Sequence, residues 1–160
     1  VDLAAGSKES HSKFAYVVLG IPKGEKDAYV LAARKMSIQF PEQVRTIKGL
    51  CKAFHPTMVG IESNAYQQSM MQVLRVDPET ARLPIKGIHT QGDKQRRIRG
   101  LAVLFENGAI RMPDNLVELE EELLHFPLGA DDLLDALWLA LESVQIQRVV
   151  PRITFTDDLE

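Results

Sequence analysis

The segment from residue 14 to residue 38 constrains the fold most. Two apolar runs, FAYVVLGI at 14–21 and AYVLAARKMSI at 28–38, are separated only by the polar turn PKGEKD. Each reads as a strand, the first as a buried one. The stretch before them, VDLA at 1–4, reads as the end of a further strand, followed by a Gly/Ser turn, AGSKESHS. The three strands are expected to form a meander.

After residue 40 the periodicity changes. Pro41 is expected to open a helix in which Val44, Ile47, Cys51 and Phe54 recur at helical spacing, and the pair His55-Pro56 stops it. MVGIES at 58–63 is a short apolar strand, and a helix over 64–74 follows. A polar loop, RVDPETARLP, leads to a strand beginning at Ile85. GDKQRRIRGLAVLFENG reads as a helix with Ile98, Leu101, Ala102 and Phe105 on one face, ended at Asn107-Gly108. AIRMP is a brief strand and NLVELEEELLHF an amphipathic helix with an acidic outer face. The final helix is expected over 131–147, with a tail at 148–160. A meander followed by alternating strands and helices is an α/β pattern. The parallel strands should lie on one side of the sheet, with helices on both faces.

At 160 residues the chain suits one compact domain, and no internal repeat or low-complexity segment divides it. Its 45% hydrophobic and 26% charged content is that of a soluble globular protein. No apolar run approaches the roughly 20 residues that span a bilayer, and no secretory signal is visible. The one cysteine, Cys51, cannot form an internal disulfide, which suits a reducing compartment, and it reads as a small core residue. The first residues already look like the inside of a strand, with no initiator Met, as expected of an excised or trimmed domain. A net charge of −3 argues against a general nucleic-acid coat protein. It does not exclude a nuclease, because a carboxylate cluster lowers the charge that bound metal ions restore.

The acids fall at telling places. Asp2 lies on the first strand, Glu62 ends the fourth, and Asp131, Asp132 and Asp135 open the last helix. Ligands in α/β sheets gather at strand ends near switch points in strand order. If the first and fourth strands are neighbours, Asp2 and Glu62 would be close, and the last helix would bring its first turn over both. Carboxylates so packed need a cation to remain ionised, and Mg²⁺ or Mn²⁺ suits oxygen ligands. The competing reading is helix capping by Asp131 and favourable interaction of first-turn acids with the helix dipole. Capping employs one carboxylate, however, and Asp135 adjoins an apolar stripe of Leu134, Leu137, Trp138 and Leu141. Lys94, Arg96, Arg97 and Arg99 form the strongest basic cluster, a candidate phosphate contact. Lys8 and Lys13 are weaker candidates. The four histidines show no zinc spacing, and only His11 is near a proposed ligand.

Four stretches in order, VDLAAGSKES, VGIESNAYQQ, GDKQRRIRGLAVLFENGAIRMP and GADDLLDALWLA, resemble the C-terminal nuclease domain of the large terminase subunit of tailed bacteriophages. The resemblance covers nearly the whole chain. It implies a ribonuclease H-like fold over residues 1–147, two divalent metal ions, Mg²⁺ or Mn²⁺, and cleavage of concatemeric double-stranded phage DNA during packaging with little sequence specificity. It further implies an upstream packaging ATPase, a portal, a small terminase subunit and a setting in the bacterial host cytoplasm. No GxxxxGK[ST] occurs in this chain, so the ATPase is not within it. By the same resemblance Asp2, Glu62 and Asp132 are the favoured metal ligands, Asp131 serves as cap and Asp135 as a second or outer partner. Gly129-Ala130 stand where related sequences often carry a histidine. Two alternatives remain open at this point: another nuclease of the same fold, such as a Holliday-junction resolvase or transposase, and a non-catalytic module docking on a capsid or portal.

Overall fold

The computed structural model describes residues 2–8, 13–63, 65–90 and 92–144, with side chains from residue 13 onward except at 65–67. Strands β1 (Asp2–Lys8), β2 (Lys13–Gly20) and β3 (Ala28–Ser37) form the expected antiparallel meander. β1 does not turn after Ala4. Its ladder with β2 continues through Gly6↔Ala15 and Ser7↔Phe14 to Lys8↔Lys13, because the apolar start of β2 offers a partner for the Gly/Ser segment. Alternation along β2 sends Phe14 and Val18 to one face and Ala15, Val17 and Leu19 to the other.

Helix α1 (Phe40–Phe54) carries proline in its first turn. It stops at His55, which takes a left-handed φ of 47° and donates its N–H to the Cys51 carbonyl at 3.0 Å. Strand β4 (Met58–Glu62) then runs parallel to β1, and after α2 (Ala65–Val76) strand β5 (Ile85–Ile88) runs parallel to β4. Helix α3 (Lys94–Glu106), strand β6 (Ile110–Arg111), helix α4 (Val117–His125) and helix α5 (Asp132–Ser143) complete the described chain. The strand order is β5-β4-β1-β2-β3-β6. The expectation that all parallel strands share one side holds for β4 and β5. It fails for β6, which pairs with β3 at the opposite edge, where Ala28 and Tyr29 leave a free ladder for a two-residue strand. The expected helix end at residue 147 and the tail at 148–160 lie outside the described residues.

Helices cover both faces. Ile47 and Cys51 of α1 with Met70, Met71 and Leu74 of α2 bury Phe14, Val18, Val59 and Ile61 on one side. Burial pushes the Cys51 thiol up to about 11, so it remains a protonated core residue. On the other side α3, α4 and α5 cover Ala15, Val17, Leu19 and Ile88. Helix α5 is buried over most of its length, including Leu133, Leu134, Leu137 and Leu141. It lies so close to β4 that a Cβ at Gly60 would stand 3.0 Å from the Ser143 Cβ and 2.9 Å from Ile88 Cδ1. The contact is made by the last residue of α5 and sets how closely the helix packs on β4.

Candidate metal and nucleic-acid site

Strands β4 and β5 end together, with Glu62 paired to Ile88. The Glu62 Oε1 accepts a hydrogen bond from Thr90 Oγ1 at 3.0 Å, so the segment leaving β5 orients the carboxylate that ends β4. Helix α3 starts four residues beyond Thr90, capped by Asp93, whose Oδ1 accepts from the Gln95 N–H at 2.9 Å. The first turn of α5 reaches the same end of the sheet: Asp132 Oδ2 stands 4.0 Å from the ammonium of Lys13, the first residue of β2. Glu62, Thr90 and the α5 acids therefore share the carboxyl ends of β1, β4 and β5, where ligands collect in such sheets.

Asp2 is located by its backbone. β1 and β4 are neighbours as expected, but Asp2 is level with Met58, four residues before Glu62. At roughly 3.3 Å per residue that is an offset of about 13 Å along the strands. The register thus brings Glu62 beside the middle of β1 rather than beside Asp2. His11 lies outside the described residues.

The α5 acids divide in an unexpected way. Asp131 occupies the N-cap position, yet its carboxylate makes no cap hydrogen bond. The cap comes instead from Glu122 of α4, whose Oε2 accepts the Leu133 N–H at 2.8 Å and the Leu134 N–H at 3.2 Å. The other oxygen of Glu122 accepts from Lys35 Nζ on β3 at 2.9 Å. The expected acidic outer face of α4 is therefore broken at Glu122, which is 2% exposed. Its position could have been read from the sequence, because it falls in helical step with Leu119 and Leu123 on the buried stripe. Lys35 and Thr90 carried no such signal, since each acts through a partner distant in sequence.

The carboxylates of Asp131 and Asp135 meet on one cation. Lys94 Nζ lies 2.6 Å from Asp131 Oδ2 and 2.7 Å from Asp135 Oδ2. Arg97 stands 4.0 Å from the other Asp135 oxygen and 4.8 Å over the Trp138 ring. The KQRRIR cluster therefore splits by helical phase. Lys94 and Arg97 turn toward α5, while Arg96 and Arg99 face solvent. Among the described residues no three His, Cys, Asp or Glu side chains are grouped closely enough to hold a metal ion. The convergence of Asp131 and Asp135 on one ammonium does show a pair of hard oxygen donors arranged around positive charge. That donor chemistry fits a divalent ion such as Mg²⁺.

A three-strand meander, parallel strands added at its first strand, helices on both faces and acids at the carboxyl ends define a ribonuclease H-like nuclease fold. The sequence profile of the terminase RNaseH-like domain matches residues 1–143, and the chain belongs to that family. Among solved structures, the large terminase nuclease of thermophilic phage G20c with bound magnesium is 17% identical, with a TM-score of 0.67 over 88% of this chain and 79% of that one. The G20c nuclease is also known with bound zinc and with bound cobalt. The P22 large terminase nuclease domain is 15% identical, with a TM-score of 0.63 over 89% and 79% of the two chains. The fowlpox virus resolvase in complex with Holliday junction DNA is 10% identical, with a TM-score of 0.61 over 91% and 99%. No curated protein sequence matches the chain. No helix among the described residues is long and apolar enough to cross a membrane.

Proposed function

We propose that the chain is a divalent-metal-dependent endonuclease domain that cuts concatemeric double-stranded phage DNA during genome packaging, with little sequence specificity. The observation that carries this reading is the acid-bearing first turn of α5 at the same sheet end as Glu62, in a chain of the terminase family. Glu62, Asp132, Asp131 and Asp135 would hold two Mg²⁺ or Mn²⁺ ions; Asp2, four residues removed from Glu62 in the register of β1 on β4, is left out of this ligand set. Such ions, when bound, activate water for attack on a phosphodiester and stabilise the leaving oxygen.

The chain's own groups do the rest. Thr90 orients the Glu62 carboxylate. Asp132, with its side chain 11% exposed, offers a largely desolvated negative charge. Lys94 holds Asp131 and Asp135 together and offsets their repulsion. Arg96 and Arg99, exposed on α3, would contact phosphates without reading bases. The nuclease domain would extend over 1–147 with a tail at 148–160. It would work in the host cytoplasm beside a packaging ATPase, a portal and a small terminase subunit.

Plasmid cleavage with Mn²⁺, Mg²⁺ or EDTA tests the reading. Wild type should cut with either ion and stop with EDTA, while Glu62→Ala and Asp132→Asn should fold and lose cleavage. If Glu62→Ala cut as fast as wild type, the site assignment would fall. Preferential cleavage of four-way junctions over linear duplex would point to a resolvase, and absence of any metal effect to a docking module.

A further inference from the structure

We propose that Glu122 is a positioning residue: its buried carboxylate caps α5 in place of Asp131, and so sets Asp132 and Asp131 for cation binding. The inference rests on the metal reading above and extends it to a residue on a different helix. Three bonds carry it. The Leu133 and Leu134 N–H groups both donate to Glu122 Oε2, at 2.8 and 3.2 Å, and Lys35 Nζ donates to Oε1 at 2.9 Å. The groups come from three separate places in the chain, so the carboxylate is a junction between α4, α5 and β3.

The geometry explains why an N-cap aspartate does not cap. Helix N-termini leave amide donors unsatisfied, and a side chain at the N-cap ordinarily accepts from the second or third helical residue. Here Leu133 and Leu134 are those residues, and Glu122 already occupies them. Asp131 is thereby spared the cap and its carboxylate turns to Lys94, beside Asp135. Asp132 is the residue immediately before the two anchored amides, so fixing them fixes the direction in which its side chain leaves the helix. Lys35 links this junction electrically to the site: its pKa is raised first by the Glu122 hydrogen bond, then by the charges of Glu122, Glu118 and Asp132, against the opposing effect of burial. Groups that orient ligands without touching the ion change metal affinity when removed.

Glutamine at position 122 separates this role from bulk. Its single oxygen satisfies either the two amides or Lys35, and in either pose its NH₂ faces donors. In Glu122→Gln/Lys35→Met the amide oxygen can return to the helix cap with no ammonium opposing the NH₂. The test is a Mn²⁺ titration by calorimetry and by electron paramagnetic resonance of free Mn²⁺, well below the melting temperature of each variant. Glu122→Gln should weaken Mn²⁺ binding about tenfold, and the double variant should recover most of that loss. Lys35→Met alone keeps the cap and removes a positive charge that acts on Asp132, so it should bind Mn²⁺ at least as tightly as wild type. Wild-type affinity in Glu122→Gln, or a tenfold loss in Lys35→Met, would overturn the positioning role. If Glu122→Gln does not fold, Glu122→Asp takes its place: its shorter side chain draws the carboxylate back from the Leu133 and Leu134 amides. A loss of about tenfold in Mn²⁺ binding is then expected, and wild-type affinity would overturn the role. Asp132→Asn provides the separate control: if it binds Mn²⁺ like wild type, the metal reading of this helix fails, whereas loss in Asp132→Asn with none in Glu122→Gln removes the positioning role alone.

Discussion

Asp131 and Glu122 exchange the roles that local sequence assigns them. An aspartate one residue before a buried helix should cap it, and an acid on a Glu-rich helix should be solvated. The structure reverses both, because α4 delivers Glu122 to amides that Asp131 would otherwise serve. Stability measurements should follow this exchange. Asp131→Ala loses a partly exposed ion pair with Lys94 but no cap, and should cost about 1 kcal/mol or less. Glu122→Ala leaves two buried amides and Lys35 without their acceptor and should cost about 3 kcal/mol. Thermal melts of the two variants decide it: a large drop for Asp131→Ala beside a small one for Glu122→Ala would return the cap to Asp131. Arg97 likewise serves packing before phosphate. Arg97→Ala should lower the melting temperature through loss of its Trp138 contact, worth roughly 1 kcal/mol, while Arg96→Ala should leave it unchanged.

Between elements, α5 sits where it does because β4 carries a glycine beneath it. Gly60→Ala would press a methyl against the Ser143 Cβ and Ile88. The cost should be about 1–3 kcal/mol, and Gly60→Ala/Ser143→Gly should recover part of it in the same denaturation assay. Helices α1 and α2 are joined by a different device. Lys48 Nζ lies 2.8 Å from Asp77 Oδ2 and 2.8 Å from Glu79 Oε2, just beyond the end of α2. The hydrogen bond from Lys48, then that from the Glu79 N–H, lowers the Asp77 pKa. A carboxyl depressed in the folded state stabilises above its unfolded pKa of about 4 and loses that contribution as pH falls further. Lys35 and Lys48 are raised, so their contributions persist below about 10.5 and fade only at higher pH. Asp77→Asn should therefore flatten the acid limb of a melting-temperature profile. An unchanged limb would assign acid lability to other carboxylates.

The whole molecule carries a net charge of −3, and under the proposed function it must still approach a polyanion. Its cations are distributed accordingly: Lys13, Lys94 and Arg97 face acids, and Arg96 and Arg99 face outward. Binding to duplex DNA in the presence of Ca²⁺ should weaken with salt. Arg96→Ala and Arg99→Ala should each reduce that logarithmic slope by about 1, equally for unrelated sequences. A loss confined to one sequence would reveal base readout. Metal should also act globally, since a ligand bound only to the folded chain raises its melting temperature. Wild type should therefore melt higher with Mn²⁺ than with EDTA, and Asp132→Asn should lose most of the difference.

Much of this protein is written in local pattern. The alternation in FAYVVLGI, the helical recurrence of Val44, Ile47 and Cys51, and the apolar run of α5 each state which face is buried, because side-chain direction follows from backbone period alone. The meander, the two-faced helix cover and the acids opening α5 were legible for that reason. Register was not. Whether Asp2 stands beside Glu62 or about four residues away depends on how β1 slides along β2 and β4, and several registers satisfy the same alternation. The site of β6 was also hidden, since two residues contain too little pattern to choose an edge. Least legible were Thr90 on Glu62, Lys94 between Asp131 and Asp135, and Glu122 on the α5 amides. A hydrogen bond or ion pair depends on where two groups meet within about 3 Å, and only the packing of distant segments decides that.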